Sequence, residues 1–453
     1  MQLDLAFRVS NTPCIALTGS GGKTTALFQL ARRLSEVEDL SKVEDLSVGA
    51  GRPVIVTATT HLHVNQIKLA DSHWSAEKPA DLSRLKDNLH GVMLVTGPLE
   101  GDRTKGLDQL TIHRLHEICS RHALPLLIEA DGSRQHPLKA PAEQEPPIPD
   151  FVEMVVVVAG LSGLGRPLSA EFVHRPEIFA RLSGLGMGEA ISPQALLRVL
   201  THPAGGLKNI PLQARRLVLL NQADTAELQA QAQPLAGDLL AAYHSVIIAS
   251  LGQSLIYAVY EPVAGIILAA GEARRFGHPK QLLDYHGQPF VRIVAKTALA
   301  SGLSPVVVVS GANAEAVEAA VADLPVTIRR NSDWQNGQSS SIQAGLHVLP
   351  HQTGAAIFLL ADQPQVPATV IHALIEKHAQ TLAPVLAPLV HDRRANPVLF
   401  DRVTFPDLMS LTGDVGGRAV FSKYPVVYLP WHDEILLLDV DTPDDLERLR
   451  KQE

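Results

Sequence analysis

Short runs rich in Val, Ile and Leu recur along the chain, separated by stretches whose apolar positions repeat at helical spacing. In the first half the runs cover 14–17, 53–57, 91–95, 124–128, 154–158, 217–220 and 245–248. In the second half they cover 265–268, 306–309, 356–360, 385–388, 397–400 and 435–438. Runs this short and apolar on both faces predict strands covered by helices on both sides, as in parallel α/β sheets. Near 257–262 the pattern restarts, and a strand beginning at Val263 leads straight into a glycine loop. The expected organisation is therefore two α/β domains, 1–260 and 261–453, in keeping with a length too great for one core. The segment 137–149 holds five prolines and is expected to be an ordered loop. The near-duplicate 37–41 and 43–47 is read as a surface insertion.

Charge narrows the function classes. Lys plus Arg number 39 against 47 Asp plus Glu, a net charge of -8, so a non-specific nucleic-acid partner is not expected. The two cysteines, Cys14 and Cys119, have no metal-ligand or disulfide spacing and read as buried thiols. The first ten residues lack the features of a signal peptide, and no apolar run approaches the ~20 residues of a membrane span. A cytoplasmic protein with no membrane contact is expected.

Candidate chemistry begins in the second half. The string 268–280, Leu-Ala-Ala-Gly-Glu-Ala-Arg-Arg-Phe-Gly-His-Pro-Lys, follows a buried strand. Gly271 and Gly277 let the backbone turn so that N–H groups face phosphates, and Arg274, Arg275 and Lys280 add positive charge. Asp362 ends an apolar strand, where a carboxylate can hold Mg²⁺; Asp441, two residues beyond Asp439, is the candidate second ligand. Both aspartates precede helical stretches and could equally cap them.

This segment resembles the signature LAAGxSxRxGxxK of nucleotidyltransferases with a Rossmann-like fold, matching at Gly271, Arg275, Gly277 and Lys280, with Ala273 replacing the small hydroxyl residue. More closely, 263–453 resembles the molybdenum cofactor cytidylyltransferase family. The blocks 331–337, 339–341, 360–364, 396–398, 413–418 and 439–443 follow in that family's order. The resemblance implies a phosphate monoester on the pterin attacking the α-phosphate of CTP, with pyrophosphate leaving. Arg275, Lys280 and Asp362 would act catalytically, and Asp362 and Asp441 would hold Mg²⁺. Ala269, Ala270, Gly271, Gly277, Ser340 and Ser341 would bind nucleotide, the two serines also fitting a plain capping role. Asn396, Gly413, Asp414 and Arg418 would contact the pterin, Arg418 gripping its phosphate. Ala270 resembles the cytidylyl branch, and its methyl is expected to crowd the loop in favour of a pyrimidine.

In the first half, Thr18-Gly-Ser-Gly-Gly-Lys-Thr-Thr25 follows a strand and opens a helix. Backbone donors, Lys23 and a threonine hydroxyl thus converge, so Gly19, Gly21, Gly22, Lys23, Thr24 and Thr25 are expected to bind a second NTP. The string lacks the first glycine of a full Walker A and resembles the loop of Mur-type ligases. A strand at 126–129 leads to Asp131, a Walker B-like carboxylate, and Asn221–Asp224 is similar to a guanine-reading NKxD motif with Gln222 in place of lysine. The blocks 21–25, 59–61 and 129–143 resemble the YqeC-like selenium-dependent hydroxylase accessory family over roughly 10–250. Together the resemblances imply a CTP:molybdopterin cytidylyltransferase serving an apo molybdenum hydroxylase. The alternatives are guanylyl transfer, nucleotidyl transfer to a sugar phosphate, or a nucleotide-switched chaperone for cofactor insertion.

Overall fold

The computed structural model describes residues 1–9, 12–36, 52–132, 135–272, 279–440 and 442–451. Its contacts divide the chain into two compact units, Met1–Tyr260 and Glu261–Glu453. The duplicated segment at 37–47, Arg275, Gly277 and Asp441 lie outside the described residues.

In the first unit nine strands form one sheet: β1 (Cys14–Gly19), β2 (Val54–Ala58), β3 (Ser72–Ser75), β4 (Val92–Thr96), β5 (Leu126–Glu129), β6 (Met154–Gly160), β7 (Arg215–Asn221), β8 (Ser245–Ser250) and β9 (Leu255–Tyr260). Their order is β9-β8-β7-β6-β1-β5-β2-β4-β3. All neighbours are parallel except β9, which runs antiparallel to β8. The central strands are buried throughout, as their unbroken apolar runs require. Helices α1 (Lys23–Glu36) and α2 (Pro176–Ser183) each follow a loop that matters below. The cysteines lie buried, and burial pushes the Cys119 thiol up to about 12.

In the second unit β10 (Val263–Ala269), β11 (Val306–Ser310), β12 (Thr327–Arg330), β13 (Ala355–Leu360), β14 (Val385–Val390), β15 (Arg393–Arg394), β16 (Val398–Asp401) and β17 (Val426–Pro430) make a mixed sheet. The order is β12-β11-β10-β13-β16-β14-β15, with β17 paired to β14. Alternate residues enter two separate cores: Ile267, Val308 and Ile357 on one face, Ile266, Val307 and Phe358 on the other. Helix α3 (Gln338–His347) packs against the second face through Ile342 and Leu346.

The structure corrects one expected strand. The run 435–438 lies in a 3₁₀ turn, Glu434–Leu437. The Asp433 carboxylate accepts from the Ile435 N–H (2.9 Å), starting a turn where the apolar composition alone suggested extension. Strands β3, β9, β12 and β17 were not expected. Ser72–Ser75 carries little apolar signal, and Thr327–Arg330 is exposed at all four positions on the sheet edge. The 255–260 run, taken for the end of the domain pattern, closes the edge of the first sheet.

Candidate functional sites

In the first unit the glycine loop leaves the carboxyl end of β1, where ligands of open parallel sheets bind. Gly19, Gly21 and Gly22 have φ of +89°, +85° and +123°. A Cβ on Gly19 would sit 2.1 Å from the Val158 carbonyl oxygen, and one on Gly21 2.4 Å from the Gly160 nitrogen. No other residue type fits either place. The parallel register sets Glu129 beside Leu17, so the carboxylates after β5 come abreast of the loop.

Lys23 is buried and folds back on its own loop, donating to the Gly19 carbonyl (2.6 Å) and lying 3.0 Å from Asp131 Oδ1. Asp131 Oδ2 accepts from the Gly19 N–H (3.0 Å) and is 2.8 Å from Lys139 Nζ. Lys139 continues to Glu145 (3.0 Å), and Glu145 takes a two-pronged grip from Arg175 (2.7 Å on each oxygen). Burial acts to raise the Glu145 carboxyl, but the Arg175 and Lys139 contacts outweigh it and hold it at about 2. The Thr24 hydroxyl donates to Glu129 Oε2 (3.0 Å) and accepts from Gln66 (2.9 Å). Burial pushes the Glu129 carboxyl up, against the pull of Lys23 and Thr24. Thus Glu129 sits beside the helix-opening hydroxyl, and Asp131 partners the loop lysine.

Asn221 braces the loop. Its amide donates to the Gly21 carbonyl (2.7 Å), and its oxygen accepts from the Leu251 N–H (2.9 Å). Asp224 accepts from the Ser250 hydroxyl. Gln222 lines the cleft and accepts from Ser162 (2.5 Å). The cleft, of about 1110 Å³, is also lined by Gly21 to Thr25, Glu129, Arg103 and Arg175. Sequence reasoning missed Gln66, Glu145 and Arg175, and gave Lys139 no role of its own although it lies in the block 129–143. The signal for Glu145 was charge lodged among the prolines of 137–149.

In the second unit a neutral side chain holds the start of the loop after β10. The buried Gln281 amide donates to the carbonyls of Gly271 (3.2 Å) and Ala269 (3.4 Å), while Lys280 opens the same short turn, Lys280–Leu282. Ala270 is buried, its methyl facing Gly311 and the core around Ile342. The Ala361 N–H donates to Leu268 O (3.2 Å), which sets Asp362 beside this loop. Gln363 Nε2 then donates to Asp439 (2.9 Å) and Gln365 Nε2 to Leu438 O (2.6 Å). These amides draw the acidic segment before Thr442 to the end of β13. Asn396 lies two residues before β16, whose first residue, Val398, pairs with Phe358 of β13.

The hydroxyls of Ser340 and Ser341 accept from Asn331 Nδ2 (2.9 and 3.1 Å), and Ser340 donates to Gly337 O (2.8 Å). They organise the start of α3, and Ser340 lines a cavity of about 720 Å³. The 413–414 loop docks there: Ser339 donates to Gly413 O (2.7 Å), and Asp414 accepts from the Gln338 N–H (3.2 Å). That carboxylate sits on the positive end of α3. Arg418 is exposed on the following 3₁₀ turn, Gly417–Ser422. Among the described residues no group of three or more His, Cys, Asp or Glu could hold a metal. One or two carboxylates completed by substrate phosphates would suit Mg²⁺, which keeps few protein ligands.

Residues 265–427 match the family described as MobA-like NTP transferase domain, and residues 15–177 match YqeC protein. The uncharacterised protein YqeC of Escherichia coli (strain K12) is 33% identical over 222 residues, 47% of this chain and 77% of its own length. The chain belongs to both families. Nicotine blue oxidoreductase of Paenarthrobacter nicotinovorans is 35% identical over 197 residues, covering 41% of this chain and 96% of that protein. Purine catabolism protein PucB of Bacillus subtilis (strain 168) is 29% identical over 198 residues, covering 41% of this chain and 95% of that protein. A crystal structure of Rv0371c from Mycobacterium tuberculosis H37Rv aligns over 42% of this chain and 97% of its own, at 28% identity and a TM-score of 0.38. The C-terminal unit is an NTP transferase domain in a two-domain α/β protein. Among the described residues no helix is long and apolar enough to cross a membrane.

Proposed function

We propose that the C-terminal unit transfers CMP from CTP to the terminal phosphate of molybdopterin, and that the N-terminal unit binds a second NTP. The observation that carries the first part is the convergence at the end of β13. Asp362, the loop 269–271 and the segment ending in Asp439 are held together by Ala361, Gln363 and Gln365. Anionic reactants need positioning and charge neutralisation more than covalent help; this edge would supply the positioning, and a cation held by its carboxylates would supply the neutralisation. Asp362 and Asp441 would hold Mg²⁺, which supplies Lewis-acid neutralisation of the triphosphate when bound. Lys280 and Arg275 would steady the phosphates; Asn396, Gly413, Asp414 and Arg418 would receive the pterin. The motif blocks of 263–453 support the pterin as acceptor and an apo molybdenum hydroxylase as recipient. The oxidoreductase name of one relative belongs to that protein; here the glycine loop and Asp362 favour nucleotidyl transfer.

The test is pyrophosphate release by the purified chain with molybdenum-loaded molybdopterin, Mg²⁺ and either CTP or GTP. Release with CTP that needs the pterin is expected. Asp362→Ala is expected to reduce it about 10³-fold, as loss of several kcal/mol of charge stabilisation would. Release with GTP alone would overturn the base assignment. Silence with every NTP would favour a cofactor-insertion role.

A further inference from the structure

The β14–β15 hairpin of the second unit carries an arginine with no partner of opposite charge. Leu389 pairs with Arg394 and Val390 with Arg393. The two residues that join the strands, His391 and Asp392, have positive φ (45° and 60°), as two-residue hairpin turns require. The Ala395 N–H then donates to Pro388 O (3.0 Å), so the backbone is fixed on both sides of Arg394. Register gives the hairpin its place. Leu399 of β16 pairs with Ile357 of β13 and with Leu386 of β14, antiparallel in each case. Strands β13 and β14 therefore run the same way, and the hairpin emerges at the end of the sheet where Asp362 follows β13.

The Arg394 side chain lies on an aromatic platform. Its guanidinium carbon stands 4.6 Å from the centre of the Phe421 ring, within cation–π reach. Phe421 leans on Phe400 (6.1 Å between ring centres), and Phe400 meets Phe358 of β13 edge-on (5.4 Å). The turn that carries Phe421 is pressed onto the same column, since a Cβ on Gly417 would lie 2.8 Å from Phe400 Cζ. The ring beneath the guanidinium is thus held by the core of the sheet. Yet Arg394 Nε is buried and makes no hydrogen bond; among the described residues no other arginine has a buried nitrogen in that state. Among the described residues Arg394 also lacks a carboxylate partner, whereas Arg292 pairs with Asp323 and Arg330 with Glu318. A donor taken from water and left unmet costs stability with no return in the folded chain. A guanidinium fixed by its face keeps its edge for an acceptor, and a phosphate offers two oxygens at the spacing of that edge.

We propose that Arg394 grips the terminal phosphate of the pterin acceptor, with Phe421 as the platform that holds the guanidinium in place. This rests on the reading of the second unit as a molybdopterin nucleotidyltransferase. The anchor is Arg394 and not Arg418, which stands exposed on the same turn as Phe421. A long exposed side chain loses rotamer freedom when it binds, whereas Arg394 is already ordered on its ring. The subsite therefore selects acceptors by the presence of the phosphate that is to be joined to the nucleotide.

The test measures binding of the oxidised, fluorescent form of molybdopterin to the full chain, before and after a phosphatase removes its terminal phosphate. The wild type is expected to prefer the phosphorylated form by about tenfold or more, as paired charge-assisted hydrogen bonds supply. Arg394→Ala is expected to erase that preference and to bind the dephosphorylated form as the wild type does. Arg394→Lys keeps the charge without the planar fork and is expected to retain only part of the preference. Phe421→Leu should reduce it by about threefold, and Arg418→Ala should leave it within about twofold. Unaltered CTP binding in each variant shows that the unit is folded. In turnover, Arg394→Ala is expected to raise KM for molybdopterin about tenfold and to leave KM for CTP unchanged. A preference that survives Arg394→Ala, one lost in Arg418→Ala instead, or an unchanged pterin KM overturns the proposal. Equal wild-type affinity for the two forms overturns the phosphate grip while leaving the pterin reading intact. Absence of both pterin binding and pterin-dependent pyrophosphate release in the wild type removes both.

Discussion

In the first unit buried charges, Lys23, Asp131 and Lys139, hold the glycine loop beside the Asn221 amide, whereas among the described residues of the second unit the carbonyls of Ala269 and Gly271 are held by the neutral amide of Gln281, with Gln363 and Gln365 securing the opposing segment. The difference is one of what happens when a single partner is removed. A buried charge deprived of its partner faces the full desolvation cost, while a neutral amide leaves behind one unmade hydrogen bond. The first site therefore has its charges committed before any ligand arrives, and a ligand must rearrange them. The second sets Asp362 and Asp439 at the end of β13, with Asp439 held by a neutral amide.

Lys139→Met should break the comparison most visibly. It takes one cation from Asp131 and one from Glu145, which keep Lys23 and Arg175, and a loss of about 1.5–3 kcal/mol in denaturant unfolding of the first unit is expected. The transition of the second unit should stay in place. Equal loss in both units would show that Lys139 acts outside the chain of contacts seen in the structure.

Acid should reach the same chain from its exposed end. The Glu145 carboxyl is held at about 2 in the folded state against a reference of 4.5. A depressed carboxyl stabilises the fold above the unfolded value, and that contribution is lost as pH falls through the folded value. Stability of the first unit should thus decline between about 4.5 and 2 in the wild type. Glu145→Gln should flatten that part of the curve; an unchanged acid limb would show that other carboxylates set it.

Gln363→Leu is the neutral counterpart. Asp439 is exposed and can turn to water, so a cost of only about 1 kcal/mol is expected. Its sharper signature is a rise of about threefold in the Mg²⁺ needed for half-maximal pyrophosphate release, because the segment leading to Asp441 is less firmly placed. Unchanged metal dependence would reduce Gln363 to a packing role.

How much of this was legible in the sequence follows from the same contrast. The strands with unbroken apolar runs, such as 154–158 and 306–309, were readable because burial on both faces leaves no alternative. The edge strand Thr327–Arg330 was not, since exposure on every residue removes the pattern. The glycine loops could be read from local spacing alone. The partners that hold them could not: Lys139 lies 116 residues beyond Lys23, and Gln363 lies 76 before Asp439, so neither pair shares a local pattern. Asn221 is similar to the first residue of a guanine-reading NKxD motif, whereas its contact with Gly21 depends on β7 and β1 flanking β6.

The smallest expected effect concerns Ala270. A methyl touching the base should discriminate strongly, since one methylene in a binding pocket is worth roughly 10–200-fold. In the structure that methyl is buried against Gly311 and the core behind the loop, where it acts by shaping the backbone. Ala270→Gly should therefore shift the ratio of CTP to GTP turnover by less than about threefold, with a modest loss of thermal stability from the vacated space. A shift of tenfold or more would mean that the loop turns over when nucleotide binds, bringing Ala270 to the ligand. In that event the neutral amide of Gln281, which now fixes the carbonyls on either side of Ala270, would be the contact that gives way.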